Sequence, residues 1–277
     1  MLVSLVTDPA RPDHDNEDFA AASANVAVLL DGAGTPGGAE SGCVHGVAWF
    51  TQQLGTQLLA EASRDDQRPL PECLRNAISH TRKLHEETCD LDHPGTPSST
   101  VIAIRLGKDD AVEYLVLADS VLLFDVIGAD PVALTDDREA RVGSAHRAAM
   151  DALPSGSTEH DLALKEYVET LRKYRNAADG FWVAASDASA ADHALTGSEP
   201  RDTLRAVALL SDGASRLADR FHLIDWAGVL QLLGKESPQQ LIDRVRAAER
   251  DDPRGERWPR GKVHDDATAV YVSLTMA

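Results

Sequence analysis

The chain has 277 residues and carries 45 acidic against 27 basic side chains, a formal net charge of −18. That balance excludes a nucleic-acid or anionic-membrane surface, where phosphates demand clustered Lys and Arg, while the length is enough to bury one full core, so residues 1–277 are expected to form a single domain. No run approaches the roughly 18 apolar residues of a membrane helix, "MLVSLVTDPARPDHD" lacks the basic start and long apolar centre of a signal peptide, and the expected setting is the cytoplasm.

In chain order, the first unusual stretch is HDNEDF, residues 14–19, where Asp15, Glu17 and Asp18 repel one another. Either it is a solvated turn or something positive sits against it. An apolar β-type run over 26–30 leads directly into Asp31-Gly32, and a Gly/Pro loop over 34–42 follows. Helical spacing predicts helices over 42–63 and 71–89, the second opening on Pro71-Glu72. After a loop over 92–99, strands are predicted over 100–106, 111–118 and 121–126, helices over 140–150 and 160–176, and strands over 181–185 and 205–210. Helices over 220–233 and 238–249, a loop over 251–262 and a strand over 268–274 complete the chain. Helices come in pairs and strands in runs, which is not βαβ alternation; the class is α+β, with antiparallel sheets covered by helices.

Cys43, Cys73 and Cys89 form no C-x-x-C pair and are odd in number, so they read as reduced thiols and neither a disulfide scaffold nor a cysteine-ligated zinc site is expected. The carboxylates are more informative. Asp-Gly is ordinarily only a turn, yet Asp31 and Asp212 each follow an apolar strand in related contexts, VAVLLDGAG and AVALLSDGAS. A carboxylate there is partly desolvated, which is costly unless a cation or hydrogen bonds compensate. Asp265 stands before the last strand, and Asp119 interrupts an apolar stretch. With Glu17 and Asp18 they make an all-oxygen set of the kind that hard divalent cations take. The acidic turn then has its counter-ion.

Six stretches in order, NEDF (16–19), LLDGAG (29–34), SSTVIAIR (98–105), VLADSVLLFD (116–125), LLSDGAS (209–215) and HDDATAVYV (264–272), resemble the motifs of metal-dependent protein phosphatases of the PPM/PP2C type. The resemblance implies a four-layer αββα sandwich of two antiparallel sheets flanked by helix pairs. It implies two to three Mg²⁺ or Mn²⁺ ions, with Asp31 bridging two of them, the Gly32 carbonyl assisting, and Glu17, Asp212 and Asp265 completing the pair. Asp18 would hold metal through water, and Asp119 would join Asp212 at a third site. Asp31, Asp212 and Asp265 would carry catalysis, the hydrolysis of phosphoserine or phosphothreonine in a protein substrate by a water activated between two cations.

The chain departs from that pattern in places. Asp13 occupies the position of the family's phosphate-binding Arg, with Arg11 nearby; Ala33 stands where some members have a proton-donating His, for which His14 and His45 are candidates; Arg216 replaces a second Asp and could bind phosphate. His80 and His85 read as a solvated helix surface, Trp49, Trp182 and Trp226 as core, and the loop over 251–262 as a solvated segment placed to touch phosphate at the rim. These departures leave two other functions open: a PP2C-fold binding or regulatory protein with impaired catalysis, and a phosphatase of a small phosphorylated metabolite. Neither the oligomeric state nor the substrate's identity is legible.

Overall fold

The computed structural model describes residues 1–34 and 40–275. The Gly/Pro loop expected over 34–42 lies mostly outside the described residues. The architecture is two antiparallel five-stranded sheets packed face to face, with helices on both outer faces, as expected for an αββα sandwich.

One sheet runs β10 (Leu195–Pro200), β7 (Ala111–Leu117), β6 (Val101–Leu106), β3 (Val26–Leu30) and β2 (Phe19–Ala22). The other runs β1 (Leu2–Asp8), β12 (Ala267–Ser273), β11 (Leu204–Leu210), β8 (Val121–Val126) and β9 (Val132–Leu134). A two-residue pair, β4 (Gly32–Ala33) with β5 (Ser98–Ser99), extends the first sheet toward the site.

Burial of both faces explains why inner strands are mostly apolar, and the period-two alternation of side chains sends neighbouring residues to opposite faces. On β3, Ala27 and Leu29 face the opposite sheet, while Val26, Val28 and Leu30 face helices α1 (Val47–Ala62) and α2 (Leu70–His85). In the second sheet, Val207, Leu209, Val270 and Val272 point to the inter-sheet core, and Ala208, Leu210, Ala267 and Ala269 point to α5 (Asp212–Asp219), α6 (Trp226–Lys235) and α7 (Pro238–Asp251). The pair α3 (Arg138–Asp151) and α4 (Thr158–Tyr174) stands apart, with Leu171 and Tyr174 packed on Ala118, Phe181 and Val183. No helix among the described residues is long and apolar enough to cross a membrane.

Several expectations need correction. Residues 181–185 are not a strand; they make only isolated bridges, Ser99 with Ala184 and Arg175 with Phe181. Helix α1 begins at Val47 instead of residue 42, because Gly42 (φ 72°) and Gly46 (φ 81°) hold the intervening chain in a turned conformation that a helix cannot include. The helix expected over 220–233 starts only at Trp226, as α6, after Asp225, whose carboxylate accepts from the Gly228 N–H at 2.7 Å, and a separate helix that was not expected, α5, starts on Asp212 itself. His85 is buried at 3% exposure, not on a solvated surface.

Candidate active site

The acidic residues meet because strand ends meet. Asp31 leaves β3 with its carbonyl accepting from the Thr100 N–H and the Ser99 hydroxyl, both at 2.9 Å, and its own N–H donating to Thr100 Oγ1 at 3.2 Å. This fixes the backbone where the strand turns. Asp212 leaves β11 in the other sheet, and its N–H donates to Oδ2 of Asp31 at 3.2 Å, so the first turn of α5 faces the Asp31 carboxylate. Asp265 precedes β12. At Gly213 a Cβ would collide with the Asp266 carbonyl, so only glycine lets α5 close onto the Asp265–Asp266 segment. Asp119 does not lie within a strand; it sits in the turn between β7 and β8, after Ala118 at φ 69°.

Asp31, Gly32, Asp119, Asp212, Asp265 and Glu17 all line one cleft of about 720 Å³. Asp18 is buried and borders the neighbouring depression instead, its carboxylate near the Thr268 and Ser211 hydroxyls but with no hydrogen bond of ordinary geometry among the described residues. The acidic N-terminal turn is held by Asp266, which accepts from the N–H groups of Ala10 and Glu17, each at 2.7 Å. Gly32 has no room for a Cβ, which would strike the Glu17 carbonyl and Val47.

Burial first, and then mutual repulsion, raises the acids. Asp31 is pushed well above the ordinary carboxylate range by burial, with Asp18, Asp212 and Asp265 adding to it. Burial pushes Asp18 up to about 8 and Asp119 up to about 7. Asp212 is also raised by burial and by Asp265, although its side chain still meets solvent on the cleft floor, which tempers the desolvation. Asp265 goes the other way: burial would raise it, but Lys262 Nζ at 2.7 Å and Arg216 Nη2 at 3.0 Å outweigh that and hold it below the usual range.

A donor set made of oxygen alone, two orphaned buried carboxylate oxygens on Asp18, and a glycine pressed against Glu17 suit hard divalent cations. Glu17, Asp31, the Gly32 carbonyl, Asp212 and Asp265 would hold such ions, with Asp18 in the adjoining depression and Asp119 interacting with Asp212.

The phosphate-contact candidates are dispersed. Arg11 is exposed and reaches only Asp13, at 3.9 Å, lining neither cavity. His14 and His45 line a neighbouring depression of about 600 Å³ that shares Glu17 with the main cleft. Arg216 does border the main cleft, but it is buried and ion-paired to Glu249 Oε1 at 2.6 Å as well as to Asp265. Residues not singled out from the sequence include Glu139, pushed up to about 8 by burial and then by Asp119 and Asp212, and Arg175 at the end of α4. Arg175 donates to the carbonyls of Thr96 and Pro94 and to Ser98 Oγ, all neutral acceptors, so its charge faces the cleft without a carboxylate partner among the described residues. Its only sequence signal is a basic helix end. Lys262 belongs to the loop expected at the rim and lines the cleft.

The comparisons agree with this geometry. The protein phosphatase 2C family model matches residues 12–246. No curated protein is close enough in sequence to count as a match. The fold is similar to the serine/threonine phosphatase PstP/Ppp of Mycobacterium tuberculosis, at 15% identity, TM-score 0.61, over 99% of each chain. It is similar to the catalytic domain of PstP in complex with two manganese ions, at 17% identity, TM-score 0.55, over 98% of this chain and 97% of that one. It also resembles the PPM Ser-Thr phosphatase MsPP of Mycobacterium smegmatis in complex with cacodylate, at 18% identity, TM-score 0.56, over 99% of each. With a family match spanning most of its length and the acidic strand ends drawn into one cleft, this chain belongs to the protein phosphatase 2C family, the metal-dependent phosphatases.

Proposed function

We propose that the cleft hydrolyses phosphoserine and phosphothreonine in protein substrates, using Mg²⁺ or Mn²⁺, and that residues 1–277 act as one catalytic unit in the cytoplasm. The observation that carries this reading is the convergence of Asp31, Asp212, Asp265, Asp119 and Glu17 on one cleft, where burial raises all of these carboxylates except Asp265, which Lys262 and Arg216 hold low. The three free cysteines support a reducing compartment.

Divalent cations bound there supply Lewis-acid charge to the phosphoryl oxygens and an activated water nucleophile. The chain's own residues do the rest. Asp31, fixed through its carbonyl by Ser99 and Thr100, presents its carboxylate to the centre of the cleft beside the Asp212 N–H. Asp266 holds Glu17 in place through the backbone. Arg175 is the phosphate contact in this reading, because a guanidinium bonded only to neutral oxygens keeps its charge for an incoming dianion. Arg216 instead orients Asp265.

The test is hydrolysis of an aryl phosphate and of a phosphoserine peptide with Mn²⁺, with Mg²⁺ and with chelator, beside an Asp31→Asn variant. Metal-dependent turnover of both substrates, lost in the variant, is expected. Tight Mn²⁺ binding without turnover would leave a binding protein, and turnover of small phosphorylated metabolites in preference to the peptide would redirect the substrate class.

A further inference from the structure

Beside the acidic N-terminal turn, where His45 lines the depression that Glu17 and Asp18 also line, the segment leading into α1 meets the end of α2. The Asp90 N–H donates to the Gly42 carbonyl at 2.8 Å, tying the two together. This brings Cys43 and His45 against His85, on the last turn of α2, and Cys89, four residues further on, whose N–H donates to the His85 carbonyl at 2.9 Å. One ligand-type atom from each of the four lies within 4.8 Å of the others. Cys43 Sγ is 3.4 Å from Cys89 Sγ, 3.6 Å from His85 Nδ1 and 3.8 Å from His45 Nδ1, while Cys89 Sγ is 3.4 Å from His45 Nδ1.

From these contacts we propose that Cys43, His45, His85 and Cys89 form a structural Zn²⁺ site. Bond lengths of about 2.3 Å to sulfur and about 2.0 Å to nitrogen place the ligand atoms of a tetrahedral zinc roughly 3.3–3.8 Å apart, and the four contacts span that same interval. A disulfide needs sulfurs about 2 Å apart. Two thiolates and two imidazoles select zinc over Mg²⁺ or Mn²⁺, which take oxygen. The two thiolate charges cancel that of the ion, and the two thiol protons pass to solvent on binding.

The surroundings enclose part of the site. His85 is buried, with its Nδ1 3.6 Å from Cys43 Sγ. The Trp49 ring stacks on His45 at 4.2 Å and tilts against His85 at 5.2 Å, covering one side of the cluster while His45 stays exposed. The zinc would clamp the segment before α1 to the end of α2. Val47, the first residue of α1, packs where Gly32 and Gly34 leave space, so the clamp also steadies the wall beside Asp31.

The test uses the full chain, expressed with zinc and dialysed against excess Mn²⁺ so that the carboxylates are not the zinc-binding groups. About one zinc per chain is expected by elemental analysis, falling to background in the Cys43→Ser/Cys89→Ser double variant. Because that variant could misfold, wild-type protein loaded with Co²⁺ provides a second readout: thiolate-to-cobalt charge transfer and the intense bands of a tetrahedral complex are expected. In native wild-type protein, Cys43 and Cys89 should resist maleimide until chelator is added. Zinc-free protein with freely reacting Cys43 and Cys89, a cobalt spectrum without thiolate bands, or a Cys43–Cys89 disulfide would each overturn the proposal. None of these readouts depends on phosphatase activity.

Discussion

The acidic cleft and the cysteine-histidine cluster both gather ligand-type side chains, and they do so by opposite means. The cleft takes one or two residues from each of several strand ends across both sheets, so its geometry is the geometry of the whole sandwich. The cluster takes two residues from a short segment and two from a helix end, joined by local backbone hydrogen bonds. Empty carboxylates repel, so the cleft stores electrostatic cost that the fold must offset and a cation relieves. Neutral thiols and imidazoles carry no such cost, and a metal there acts as a staple. Occupancy of the cleft should therefore govern chemistry and relieve repulsion, whereas occupancy of the cluster should govern stability alone.

The largest separation should come from Asp31→Asn. Loss of the central carboxylate is expected to lower turnover roughly 10³-fold, several kcal/mol of transition-state charge stabilisation, with zinc content unchanged. In chelator the variant should melt no lower than wild type, since it removes one member of a repelling set. A fall in both activity and metal-free stability would mean that Asp31 is mainly structural.

Arg175→Ala should raise KM for an aryl phosphate about tenfold or more, the range for losing hydrogen bonds to a charged group. Arg175→Lys should recover part of the loss. If kcat falls instead with KM unchanged, Arg175 supports the loop at residues 94–98 and does not contact phosphate.

At the other site, Cys43→Ser/Cys89→Ser should lower the melting temperature by roughly 4–6 °C, corresponding to about 2–3 kcal/mol in a chain of this size. Turnover measured well below that temperature should survive. Activity lost without a change in melting would break the division between the two sites.

The pH dependence sharpens the contrast further. Asp18 at about 8, Asp119 at about 7 and Asp31, higher than its ordinary value, all have folded pKa values above those of the unfolded chain. Such groups favour the fold while protonated, and that contribution is lost as pH rises from the ordinary carboxylate value of 3.8 through about 8. Asp265, held low, works in the opposite sense and loses its contribution only as pH falls through its depressed value. Metal-free protein should therefore melt lower at pH 8.5 than at pH 6, and saturating Mn²⁺ should remove the decline. Melting curves with chelator that are flat across this range would show that the carboxylates are not coupled to folding.

The smallest expected effect is that of Lys262→Gln. Lys262 neutralises Asp265 but is itself more than half exposed, so removing it should lower the Mn²⁺ concentration for half-maximal activity only roughly two- to fivefold, in keeping with a screened pair. A higher requirement would assign Lys262 to substrate binding.

The inner framework is written in local residue pattern. All six inner strands, β3, β6, β7, β8, β11 and β12, were legible as apolar runs because burial on both faces favours apolar residues at most positions, with Arg105 and Glu113 paired to each other as an exception. The four edge strands, β1, β2, β9 and β10, were not, because an edge has one neighbour and tolerates exposed or small residues, as with Leu2 at 73% exposure. Asp31, Asp212 and Asp265 stood out because a carboxylate beside an apolar strand is locally anomalous. Tertiary structure alone decided what has no local anomaly. Arg216 became a partner of Glu249 and Asp265, Arg175 came to face the cleft from the end of α4, and residues 181–185 remained apolar without joining a sheet. Cys43 and His45 sit 40 or more residues from His85 and Cys89, and only the antiparallel pairing of α1 with α2 closes that distance.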